Sequence, residues 1–68
     1  MRYWLLVLRR KMGLTQHELA EKVGVSRQTI SQIENGYGLR KNTAKRIAEV
    51  MSFDWTKFYE DEARTSNP

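Results

Sequence analysis

The stretch VGVSRQTISQIENG, residues 23–36, decides the fold. Gly24 is the residue on which a helix ends, because a left-handed backbone costs glycine little. Ser26 is a helix-starting residue, since its hydroxyl accepts from the orphan N–H groups of a first turn. Only Val25 stands between them. Two helices therefore meet at the turn Gly24-Val25-Ser26, and a turn that short forces a steep crossing. The second of these helices, predicted to run to about Asn35, has little apolar material. Ile30 and Ile33 can seat it on a core. At about 100° per residue, Ile33 and Glu34 fall within about 60° of Ile30, whereas Gln28, Ser31, Gln32 and Asn35 fall on the far side. Arg27 lies at the flank, in the first turn, with a long reach. The helix is held along one edge and presents hydrogen-bonding side chains along the other.

Moving outward from this stretch, the same reasoning yields further helices. Thr15-Gln16-His17-Glu18 has the capping-box spacing, Thr followed three residues later by Glu. The helix it opens turns Leu19, Ala20 and Val23 inward, and Ala20 is small enough to admit a close crossing. Before it, residues 2–12 are predicted as a helix with Leu5, Leu8 and Met12 on one face, stopped at Gly13. After residue 36, Gly36-Tyr37-Gly38 reads as a loop. A helix then starts near Arg40 to Asn42 and carries Ala44, Ile47, Ala48 and Met51 at helical spacing. Asp54 is predicted to cap a short last helix holding Trp55, Phe58 and Tyr59. No strand signal is present. The expected fold is all-α, a bundle of five short helices in one domain over residues 1–60. Residues 61–68 are polar, end in Pro68, and are expected to be a flexible tail.

The composition narrows the function. Sixty-eight residues without cysteine leave a small core with no disulfide or thiolate-bound metal to staple it. The formal net charge is +4, unevenly spread. Residues 1–50 carry ten basic and four acidic side chains, a net +6, and residues 51–68 carry two basic and four acidic, a net −2. A basic body with an acidic end suits a polyanionic partner, most simply nucleic acid. The apolar run Tyr3 to Leu8 is too short for a signal segment or a membrane span, so a cytoplasmic protein is expected.

The polar face of the 27–35 helix suits base edges, because arginine can bond guanine with two hydrogen bonds and glutamine can bond adenine in the same way. The stretch LTQHELAEKVGVSRQTISQIENG resembles the helix-turn-helix of the Xre family, the group that contains the phage Cro and CI-type repressors. The likeness extends from LRRKMGLTQ through TAKRIAEVM to FDWTKF. Gln16, Leu19, Ala20, Gly24, Ile30, Ile33 and the ENG end stand where that family has them.

The resemblance implies a lambda-repressor-like fold and a transcriptional regulator acting on double-stranded DNA. Arg27, Gln28 and Gln32 match its base-reading positions, with Ser31 beside them. Thr15 and Gln16 match phosphate-binding positions, in keeping with a helix N-terminus as an anion site. Asn35 matches a backbone-contacting position. Family members often have a Pro-Ser pair before the fourth helix; here GYGLRKN replaces it, and Tyr37, Arg40 and Lys41 are the expected phosphate contacts. Arg9 and Glu34 fall on core-facing stripes of two helices, where charges are costly unless paired. The family has an Arg–Glu bridge there, so these two are expected to form a structural ion pair.

With no effector domain visible, repression by occluding a two-fold operator is the expected output. A weak homodimer is expected through Trp55, Phe58 and Tyr59, a large apolar supply for a short helix. A second reading is a protein-interaction module, an antitoxin or anti-repressor that keeps the fold; Tyr3, Leu6 and Val7, pointing away from the Leu5–Leu8 face, would serve it. His17 with Glu21 is half a metal site that no second histidine or cysteine completes, and no acid–base set for catalysis is evident. No enzyme, cofactor, metal or small-molecule ligand is expected.

Overall fold

Each helix of the central pair begins where a side chain takes up an orphan N–H group. Thr15 Oγ1 accepts from the Glu18 N–H at 3.1 Å, and the Thr15 N–H donates to Glu18 Oε1 at 2.9 Å. The Thr15 backbone N–H first, and the Thr15 side chain second, hold the Glu18 carboxyl below its ordinary pKa of 4.5 by hydrogen bonding to its charged form. Ser26 Oγ accepts from the Thr29 N–H at 3.1 Å. The computed structural model describes residues 1–60, and the tail expected over 61–68 lies outside the described residues. Four helices follow in order: α1 (Tyr3–Lys11), α2 (Gln16–Val23), α3 (Arg27–Glu34) and α4 (Lys41–Met51). A fifth, short helical segment, α5, covers 57–60. No strand occurs among the described residues.

Left-handed residues end all four longer helices; Gly13, at φ +71°, closes α1, with its N–H on the Arg10 carbonyl at 2.9 Å and that of Leu14 on the Arg9 carbonyl at 3.1 Å. Gly24, at φ +88°, ends α2, and its N–H and that of Val25 both return to the Ala20 carbonyl, at 2.8 and 3.0 Å. Gly36, at φ +96°, does the same for α3. The Tyr37 N–H reaches the Gln32 carbonyl at 3.0 Å and the Gly36 N–H reaches the Ile33 carbonyl at 3.1 Å, the paired bonds of a Schellman cap. The segment Gly36-Tyr37-Gly38, read from sequence as plain loop, thus includes a helix cap. Ser52, at φ +60°, ends α4 without being glycine.

The core is built from Leu5, Leu19, Ala20, Val23, Ile30, Ile33, Ala44, Ile47, Ala48, Met51 and Phe58. Two expectations require correction. Met12 is 46% exposed: its N–H still makes the helical bond to the Leu8 carbonyl, but it is the C-cap residue of α1, and the buried face of the helix ends at Arg9. The inward face of α1 is Leu5 and Arg9, with Trp4 and Leu8 half-buried at its margins. Phe58 was expected at a dimer contact, yet it is only 1% exposed. It packs with Trp4 and Phe53, ring centroids 5.2 and 5.6 Å away, and Trp4 and Phe53 meet edge-on at 5.3 Å. Burying a phenylalanine contributes about 2–3 kcal/mol, so α5 is held by the protein's own core. Of the three aromatic residues, Tyr59 is exposed and Trp55 half-buried.

Candidate nucleic-acid interface

α3 lies across α2 with Ile30 and Ile33 buried and its other edge outward. Arg27, Gln28, Gln32 and Asn35 are exposed and Ser31 is half-buried. The calculated arc from sequence and the structure therefore place the same side chains on the outer edge. Asn35 is the residue on which the helix ends.

A groove runs along each flank of this edge. On one side, Arg27 lines a groove with Arg10, Thr15, Gln16 and His17, where the C-terminal end of α1 meets the start of α2. On the other, Gln32 and Thr29 line a groove with Gly38, Leu39, Arg40 and Thr43, where the α3–α4 loop meets the start of α4. Each groove combines an arginine with a helix N-terminus, whose first N–H groups lie outside the intrahelical ladder and favour an anion. Arg40 is the N-cap residue of α4, and its side chain makes no capping bond. Tyr37 is exposed at the turn after α3. Lys41 is differently engaged: its ammonium lies 5.4 Å from the centre of the Trp55 ring, and that of Lys45 lies 5.0 Å from the same ring. Of the residues expected at phosphate, Thr15 and Gln16 share the first groove, Arg40 lines the second, and Lys41 leans toward Trp55.

Beneath the first groove lies a buried polar network. Glu34 is 1% exposed. Its Oε2 accepts from Arg9 Nε at 2.6 Å, and its Oε1 accepts from Arg9 Nη2 at 3.4 Å and from Gln16 Nε2 at 3.0 Å. Arg9 Nη1 also donates to the Leu14 carbonyl at 2.7 Å. The network joins α1, α2 and α3. It uses one of the two amide protons of Gln16 and leaves the side chain half-buried at the groove edge. His17 and Glu21 stand 3.6 Å apart on the exposed side of α2, and no cluster able to hold a metal occurs among the described residues.

Sequence reasoning missed Arg2. It is 2% exposed, and its Nη1 donates to the carbonyls of Ile33 and Tyr37, both at 2.8 Å. Its backbone N–H donates to the Glu34 carbonyl at 2.7 Å, and its guanidinium carbon lies 5.5 Å from the centre of the Phe58 ring. A single arginine before an apolar run has no periodicity that would reveal such a role. Thr29 and Thr43, in the second groove, were also passed over.

The pattern of the helix-turn-helix family matches residues 5–58. An uncharacterized HTH-type transcriptional regulator of Bacillus subtilis, YqaF, is 42% identical over 64 residues, covering 90% of this chain and 82% of its own. Uncharacterized HTH-type transcriptional regulators of Methanothermobacter thermautotrophicus and Archaeoglobus fulgidus are 52% identical over 44 residues and 49% identical over 45. The match spans 64% of the length of each. No solved structure matches the chain.

Proposed function

The chain belongs to the helix-turn-helix family of Xre type, DNA-binding transcriptional regulators, and from that premise we propose that it is a repressor occluding a two-fold symmetric operator. The observation that supports this reading is the outer edge of α3, set between two grooves that each pair an arginine with a helix N-terminus. In the proposal α3 enters the major groove, where Arg27, Gln28, Ser31 and Gln32 read base edges. Thr15, Gln16, Asn35, Tyr37, Arg40 and Lys41 hold the phosphates on either side. Residues 1–60 form the binding unit, and the cytoplasm is its place of action.

Because phosphate contacts release counterions, binding to a duplex selected from a random pool should fall steeply with salt. Four phosphate contacts would lower the affinity about a hundredfold between about 50 and about 200 mM salt. A flat dependence, or no binding at low salt, would reject the DNA reading. It would favour the protein-interaction alternative, for which the exposed Tyr3 and the half-buried Leu6 and Val7 on the outer side of α1 are the available surface.

A two-fold operator calls for two copies. With Phe58 taken into the core, the dimer contact we propose is Trp55 and Tyr59, which meet edge-on at 5.3 Å beside Lys41 and Lys45. Sedimentation with and without duplex should show weak self-association that strengthens on DNA. A strict monomer on a non-symmetric site would refute the dimer.

A further inference from the structure

We propose that Arg2 is a positioning residue for base readout, fixing the C-terminal end of α3 from which Gln32 and Asn35 reach the DNA. The proposal rests on the reading of α3 as the base-reading helix. α3 has eight residues and seats on the core through Ile30 and Ile33 alone among its apolar side chains. Its N-terminal end is fixed by the Ser26 cap and the short turn from α2. Its C-terminal end has no basic residue in the last turn to complement the exposed carbonyls.

Those carbonyls are nevertheless all occupied. The Ser31 carbonyl accepts from the Asn35 N–H at 3.0 Å, and those of Gln32 and Ile33 accept from Tyr37 and Gly36 in the cap described above. The Glu34 carbonyl is taken by the Arg2 N–H. The Arg2 guanidinium then bonds the Ile33 and Tyr37 carbonyls, which stand on either side of the left-handed Gly36. The turn itself is tightly covered: a Cβ at Gly36 would lie 3.2 Å from the Met1 nitrogen. The Arg2 backbone thus serves the Glu34 carbonyl, while its side chain adds a second bond at Ile33 and ties the Tyr37 carbonyl to it, placing a positive charge at the negative end of the helix dipole. It lies beneath the loop leading to Arg40 and against Phe58, out of reach of a phosphate. A buried arginine in this place acts through the side chains it steadies.

Two variants test this, Arg2→Gln and Arg2→Lys, each assayed at a temperature where circular dichroism shows it folded. The readout is the ratio of affinities for a selected duplex and a scrambled one, with the salt slope of each. Arg2→Gln is expected to lower the ratio about fivefold or more, the low end of what one good base contact discriminates. The salt slope should stay at the wild-type value, affinity for scrambled duplex should fall less than affinity for the selected one, and Arg2→Lys should recover part of the ratio. A role confined to stability would lower the melting temperature and leave the ratio alone, which overturns the proposal. A salt slope reduced along with the affinity would mark a phosphate contact instead, and overturns it too. If Arg2→Gln does not fold at any temperature, Arg2→Lys decides: a ratio about twofold or more below wild type is expected, and an unchanged one overturns the assignment. A wild-type chain that fails to distinguish the duplexes removes the base-reading role of α3, and the proposal with it; discrimination unaltered by the variants removes only Arg2.

Discussion

Replacing Glu34 with leucine should lower the melting temperature by roughly 15 °C, and replacing Arg9 with methionine should cost nearly as much. Glu34 and Arg9 are both buried, and each is the other's charged partner at 2.6 Å. Removing one leaves the other as a buried charge without compensation, a penalty of about 3–5 kcal/mol. Leu14 still offers its carbonyl to Arg9, and Gln16 still offers its amide to Glu34, so neither survivor is wholly stripped. These are dipoles, however, and do not neutralise an ion in a low-dielectric site. The double variant Arg9→Met/Glu34→Leu removes both charges at once. It should therefore melt well above either single variant, because apolar side chains of similar volume replace a buried pair at little net cost. Thermal melts of the three variants decide the matter. Strictly additive losses would mean that the two residues stabilise the fold independently.

The second large effect concerns specificity. Gln28→Ala should cost about 1–3 kcal/mol on the selected duplex and little on scrambled DNA. Arg40→Ala should weaken both alike and flatten the salt slope by about one unit. The argument is geometric. Gln28 is exposed on the outer edge of α3, in the first turn after the Ser26 cap, and a steep α2–α3 crossing carries that edge into a major groove. Arg40 stands at the start of α4 in the flanking groove, where a phosphate is the natural partner. Affinities of both variants for matched and scrambled duplexes check the division of labour. Equal losses for Gln28→Ala on the two duplexes would show that α3 does not read bases.

What was legible in the sequence follows from how far apart the partners are. The Thr15–Glu18 box, the Gly24 stop and the Ser26 cap each involve residues within a few positions of one another, so spacing alone reveals them. The outer edge of α3 was legible because Ile30 and Ile33 fix its rotation, and the rest of the helix follows at a constant angle. Arg2 was not legible, since its carbonyl partners stand 31 and 35 residues away and nothing local marks it. Trp4 fell outside the apolar stripe of α1, and only the return of the chain at Phe53 and Phe58 gives it neighbours. The same return explains why Phe58 was misplaced: a short aromatic-rich helix looks the same in sequence whether it closes its own core or another copy's. Met12 misleads because helical spacing sets it on the stripe, while the buried face of α1 ends at Arg9.

The bonds from Arg2 to the far end of α3 also bear on time. The caps and the turn between α2 and α3 close small loops, and events of that kind finish within microseconds. Joining residue 2 to residues 33 and 37 closes a much longer loop, whose entropy must be lost before any bond returns it. These contacts therefore belong to the late side of the folding barrier. Interactions made there leave the folding rate nearly unchanged and slow unfolding. Arg2 is in this sense a latch: its replacement is expected to shorten the life of the assembled helix pair more than it slows assembly, which unfolding and refolding rates of Arg2→Gln would check.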